Sequence, residues 1–431
     1  MLRKTLIGAT AVALLACTQL PAQAAAPDAP TDLQIGWAST AEQIRVSWTD
    51  GGEANRIYLW HDGSTQPSLL SRTVVGGTNE KLLPTRYFSS SWITRIVVTT
   101  VDAAGVESTR TESPRFDADR PPVPVLTDAT PLADQSLRLT WTQPAVPADE
   151  TPDDPLDRPW TEAKVGPAIW WNSGAPKAEE FLKPLGTTTA IVPPRPRPFP
   201  ADVTARNEWG AVTSDRTVTF ATTALTLGVP ATNDFGRGMP IQGVAGPRCI
   251  APSLDCGVGD ISVVMTLQSR ANASKPWAYA GRFTGKSSGY LNYANVFGSQ
   301  QYRLYMPTWK YFRDPHWTVT SPVSTTARYS ATQTFFRVAG FNTLNAQVGQ
   351  ALKTTVEINP AATVKASLQW YDGKVWHHAA YIPLSKGKGT LNVKAAGKGT
   401  TRYWRVAVPQ MTYNGLPLVA TGSRAFKLTV R

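Results

Sequence analysis

The sequence predicts an all-β protein built as tandem antiparallel β-sandwiches. Three observations carry that expectation. From Pro27 onward, short runs of alternating apolar and polar residues are broken by Gly, Pro, Asp and Asn, with almost no helical periodicity. The strand pattern "IRVSW" (Ile44 to Trp48) returns as "LRLTW" (Leu137 to Trp141), 93 residues later. The C-terminal half then repeats its own motifs. A chain of 431 residues is too long for one compact core and divides naturally into several.

The N-terminal stretch reads as an export signal over residues 1–26. Arg3 and Lys4 precede an apolar run, Leu6 to Ala16, that is too short to span a bilayer. Ala22 and Ala24 supply the small residues of a cleavage site. "LLAC", ending at Cys17, also resembles a bacterial lipobox, so lipidation at Cys17 stands beside simple secretion. No later apolar run is long enough for a transmembrane helix. Beyond the signal only Cys249 and Cys256 remain, in "CIAPSLDC". In an oxidising compartment this close pair is most simply a disulfide, stabilising by about 2.5 kcal/mol. Zinc would need two more ligands, and no histidine lies in that segment.

Residues 27–118 form the first expected module. "RIYLW" (Arg56 to Trp60) alternates as a strand, and "ITRIVVTTVDAAGVES" (Ile93 to Ser108) reads as strand, turn and strand. With the lead-in "APTDL" and Trp48, this segment resembles a fibronectin type III domain, which implies a sandwich with Trp48 buried. Ile96 stands where that family usually places a tyrosine, so the tyrosine-corner hydrogen bond is not expected. Residues 119–222 repeat the pattern with Trp141 and "VTARNEWGAVTS" (Val203 to Ser214). Between them lie a proline-rich acidic insertion, "QPAVPADETPDDPLDRPW", and the stiff segment "VPPRPRPFP". Asp149, Glu150, Asp153, Asp154 and Asp157 lack the glycine turn and ligand spacing of a calcium loop, and read as a solvated acidic loop.

Residues 223–327 and 328–431 form the internal repeat. "MTLQ" (Met265 to Gln268) matches "ASLQ" (Ala366 to Gln369), Trp277 matches Trp376, and "GYLN" matches "GTLN". "QYRLYMP" matches "YWRVAVP", 26 residues after the tryptophan to its arginine in one copy and 29 in the other. The two units resemble the immunoglobulin-like repeats of secreted actinobacterial proteins. Alternation places Tyr302, Leu304 and Met306 in the core and turns Arg303 and Arg405 outward.

Charge is distributed unevenly. Residues 27–222 hold 18 Lys and Arg against 25 Asp and Glu, whereas residues 223–431 hold 23 against 6. A net of +17 in the second half points to an anionic partner, or to solubility and protection of strand edges. Lys386, Lys388, Lys394, Lys398, Arg402 and Arg405 are close in sequence and form one candidate polyanion-binding set. A second candidate is the copy-specific stretch "TWKYFRDPHW", expected as a loop carrying Trp309, Lys310, Tyr311, Arg313 and Trp317. It serves either as a ligand face or as packing between neighbouring modules.

Catalytic motifs fail on context. "GKSSG" (Gly285 to Gly289) satisfies G-x-S-x-G, but the strand-like residues after it and "KGKG" in the sister copy make it a hairpin turn, so Ser287 is not a nucleophile. The four histidines, His61, His316, His377 and His378, lack metal-ligand spacing. His377 and His378 are adjacent on a strand and point to opposite faces. No carboxylate pair, cofactor loop or phosphate cradle is apparent. The expectation is a secreted or cell-envelope non-catalytic multi-domain protein acting in adhesion or as a structural spacer, with no catalytic residue, metal or cofactor. Its basic half would meet an anionic wall polymer, a glycan or another secreted protein. An accessory carbohydrate- or protein-binding role using 308–317 is the alternative.

Overall fold

The computed structural model describes residues 25–39, 42–89, 92–170, 179–249 and 261–431. Cys17, Cys256 and nearly all of the expected signal lie outside these residues. The chain is all-β: among the described residues, helix is limited to two single turns, Thr85–Tyr87 and Trp160–Glu162. Among these residues no helix is long and apolar enough to cross a membrane. Two compact units emerge, residues 1–122 with 145–163 and 206–212, and residues 123–144 with 164–205 and 213–431.

The first unit is a three-stranded sheet facing a four-stranded one. Thr31–Trp37, Gln43–Thr49 and Glu80–Pro84 form the first sheet; Ser68–Arg72, Ala54–His61, Thr94–Val101 and Thr111–Glu112 form the second, in that order. Alternation drives burial: Ile44, Val46 and Trp48 point inward from one sheet, Ile57, Leu59, Ile96 and Val98 from the other. The acidic insertion is not the expected solvated loop. Its Leu156 is fully buried in this core, beside Trp209 from residues 206–212. Trp209 stacks parallel on Phe116, and the Trp37 indole N–H donates to the Leu156 carbonyl at 2.8 Å. One leucine at the right place outweighs the solubility of the carboxylates around it, because burying it stabilises by about 1.5–3 kcal/mol.

In the second unit, Val125–Pro131, Leu137–Thr142 and Thr189–Val192 make one sheet around buried Trp141. Lys164–Ile169, Phe199–Asn207 and Thr217–Phe220 belong to an eight-stranded sheet that continues into later chain. The two C-terminal repeats share one topology. In the first, Thr232–Asp234, Arg328–Gln333, Gln300–Met306, Ser262–Arg270 and Ala278–Lys286 are neighbours in that order. In the second, Asn345–Ala346, Phe426–Val430, Thr400–Val408, Val364–Tyr371 and Trp376–Leu384 follow the same order. Both begin with a parallel pair, and both bulge beside the shared glutamine, at Leu267/Gln268 and at Leu368/Gln369. The inward residues Met265, Leu267, Tyr302, Leu304 and Met306 have Ala366, Leu368, the partly buried Trp404, Val406 and Val408 as counterparts.

Candidate ligand-binding faces

The aromatic stretch after Pro307 is a β-hairpin, not a loop. Trp309–Arg313 pairs with His316–Thr320, and the second strand runs parallel to Thr217–Phe220, from Thr217 opposite His316 to Phe220 opposite Val319. Aromatic and β-branched residues favour a strand here, but the strand is completed by a partner about a hundred residues away that local pattern cannot reveal. Trp317 is 5% exposed, and its indole N–H donates to Asp314 at 2.9 Å. Lys310 is ion-paired with Asp128 and also bonds Thr130, both at 2.8 Å. Burial works against the Asp128 carboxylate, but the bonds from Lys310 and Thr130 outweigh it and hold its pKa below the ordinary value. Trp309 is half-buried and stacks on Tyr311; Phe312, at the rim, stacks on Trp317. Of the five hairpin candidates, Trp317 and Lys310 are therefore engaged with the preceding sandwich, and Trp309 packs on the core of the first C-terminal repeat. Tyr311 is half-buried against Trp309, and Arg313 is exposed.

The basic candidates do not share one face. Lys388 and Lys394 lie on Lys388–Lys394, in a sheet with Ala351–Asn359 and Phe335–Phe341, whereas Arg402 and Arg405 belong to the opposite sheet. Lys386 and Lys398 occupy turns. The separation follows from a sandwich, in which a strand and its successor need not share a sheet. Glu357 lies opposite Lys388, 3.6 Å from its ammonium.

Register reveals a different concentration of charge. In the first repeat, Gln268 sits opposite Arg303 and Arg270 opposite Gln301, with Arg282 opposite Thr266 on the same outward face. Arg303 donates to Gln268 at 2.7 Å and Arg270 to Gln301 at 2.8 Å. Both guanidiniums lie against Trp277, at 4.5 and 4.4 Å. In the second repeat, Arg405 donates to Gln369 at 2.8 Å and lies 4.4 Å over Trp376. That sheet's outward positions also carry Lys365, opposite Pro383, His378, opposite Gln369, Tyr381, opposite Ser367, and Tyr403, opposite Tyr371. No carboxylate occupies the outward positions of either sheet among these paired strands. Residues 261–313 hold seven Lys and Arg and no acid, and no acid follows Asp372.

A groove of about 560 Å3 opens at the edge of the first repeat. Tyr279 and Tyr293, 71% and 63% exposed, line it with Phe297, Arg282, Asn295 and Gln300. Sequence reasoning passed over these tyrosines because alternation alone does not show which strands border an open edge.

In the first unit, Asp117, Asp119, Asp149, Asp157 and Glu208 line a pocket of about 280 Å3 with Trp160 and Trp209. Burial pushes Asp119 to about 6, with repulsion from Asp117, Glu150 and Asp149 adding to it. Burial likewise pushes Asp154 to about 7. Among the described residues, no group of three or more His, Cys, Asp or Glu is placed to hold a metal. Ser287 sits in the turn between Ala278–Lys286 and Tyr290–Asn295, and His377 and His378 face opposite sides, on Trp370 and on Gln369.

No family model and no curated protein matches the chain. Among solved structures, the FN1–FN3 domains of chicken CNTN1 are similar at 12% identity, covering 70% of this chain and 98% of theirs, with a TM-score of 0.21. The chicken interferon gamma receptor alpha chain is similar at 12% identity, covering 44% of this chain and 96% of its own, with a TM-score of 0.20.

Proposed function

We propose that the protein is a secreted or envelope-associated, non-catalytic chain of sandwich modules whose basic half attaches to an anionic wall polymer. The observation that carries this reading is the pair of equivalent outward sheet faces, rich in Arg, Lys and aromatic rings and devoid of carboxylates in their paired positions. Such faces attract polyanions through a local positive field and counterion release. Attachment to the surface would follow through this contact, through lipidation at Cys17, or through both; a Cys249–Cys256 disulfide belongs to the same secreted picture.

The test is sedimentation of the full chain with isolated cell walls across a salt series, beside walls stripped of their phosphate polymers. Binding to intact walls that falls steeply between 50 and 200 mM salt supports the reading. Equal binding to both walls, or none at low salt, overturns it.

A carbohydrate-binding role is the second reading, and the exposed tyrosines of the Tyr279–Tyr293 groove favour it over the packed 308–317 hairpin. Tyr279→Ala with Tyr293→Ala should then abolish binding to a neutral glycan while leaving wall binding at low salt intact.

A further inference from the structure

We propose that Arg270 and Arg303, braced on Trp277, form a site for a tetrahedral oxyanion, a phosphate group of the anionic polymer. This rests on the proposed polymer attachment and names the residues and the group that carry it.

The geometry is a two-by-two checkerboard on adjacent strands, Gln268 opposite Arg303 and Arg270 opposite Gln301. Each glutamine oxygen accepts from the Nε of the arginine across from it. Arg270 spends one further donor on the Ala273 carbonyl at 3.2 Å. Among the described residues, the remaining terminal N–H groups of both forks have no protein acceptor and neither arginine has a carboxylate partner. Both guanidiniums rest on the Trp277 ring and are fixed through Nε by a glutamine, so less rotamer freedom is left to lose on binding. Planar forks suit a phosphate, which can take two N–H bonds from each.

The charges are also held at a cost. Burial, and then repulsion from Arg270, lowers the pKa of Arg303. Two guanidiniums brought together without an acid are relieved by an anion. The second repeat supplies a built-in contrast: Tyr371 faces Tyr403 where Arg270 faces Gln301, leaving Arg405 as the one guanidinium on Trp376 among the described residues.

The experiment measures binding of fluorescently labelled inorganic polyphosphate to the full chain by anisotropy, across a salt series. Arg270→Gln with Arg303→Gln is compared with the charge-matched pair Lys386→Gln with Lys388→Gln. The arginine pair should weaken binding about tenfold or more and lower the log–log salt slope by about 1.4, two contacts on a flexible chain. The lysine pair should cost less than about threefold. Equal losses from the two pairs overturn the site and leave the wider attachment standing. Absence of wild-type binding at low salt overturns both. A measurement on the unaltered chain guards against misfolded variants. Polyphosphate should protect Arg270 and Arg303 from dicarbonyl modification, mapped by mass spectrometry, more than it protects Arg405; protection that is uniform or absent overturns the site.

Discussion

Arg405 lies 4.4 Å over the ring of Trp376 while its Nε donates to Gln369, and Arg303 repeats this on Trp277 and Gln268. Two copies have kept the same three-residue brace although their hairpin tips differ. A desolvated cation over an indole is worth about 0.5–2 kcal/mol. A double-mutant cycle of Trp376→Leu and Arg405→Gln should therefore show a coupling of about 0.5–1 kcal/mol in urea unfolding. A coupling near zero would reduce the brace to coincidence.

The 309–320 hairpin extends the sheet of the preceding sandwich. The Thr217 N–H donates to the Pro315 carbonyl at 3.0 Å, and the Ala221 N–H to Val319 at 2.9 Å. Trp317→Ala removes the buried ring at this seam and should cost about 3–5 kcal/mol. Limited proteolysis should then cut between residues 309 and 320, sites protected in the parent.

The second repeat carries a similar device. Its hairpin, Met411–Tyr413 with Leu416–Leu418, meets the first repeat where the Ser299 N–H donates to the Pro417 carbonyl at 2.9 Å. A Cβ at Gly298 would fall 2.3 Å from Leu416 Cβ, so only glycine fits. Gly298→Val should destabilise this junction by about 1–3 kcal/mol. Hydrogen exchange at Ser299 and Val419 should rise, with the core amides of Leu368 and Val406 unchanged.

A buried carboxyl of the acidic insertion gives the first unit a pH dependence of unusual sign. Asp154 is 8% exposed, and burial, reinforced by Asp157 and Asp117, raises its pKa from 3.8 to about 7. A raised carboxyl binds its proton more tightly folded than unfolded. The linked stabilisation is complete below about pH 4 and fades as pH climbs through 7. Asp154→Asn should leave the melting temperature nearly unchanged at pH 3 and raise it progressively as pH climbs from 4 to 8. A lowered melting temperature at pH 8 would show that the carboxylate must be charged there.

Much of the fold was legible because strands announce themselves locally. Period-two alternation marks Ile44, Val46 and Trp48 as inward without any knowledge of what they meet. The repeat pairs Gln268 with Gln369 and Trp277 with Trp376, and the structure gives each pair the same contacts. Composition likewise displayed the acid-free stretches of the second half.

Pairing across distance was not legible. Residues 308–317 read as a loop because their strand partner is Thr217–Phe220, and the acidic insertion read as solvated because Leu156 is one apolar residue among carboxylates. The basic residues from Lys386 to Arg405 looked like one patch, yet they divide between two sheets, while Arg270 and Arg303, distant in sequence, meet on one tryptophan. Alternation and composition are properties of neighbours along the chain, and so the sequence by itself determined the strand class, the repeat and the charge. Which sheet a strand joins is set by hydrogen bonds and burial summed over remote segments, and only the tertiary structure decided which side chains stand together.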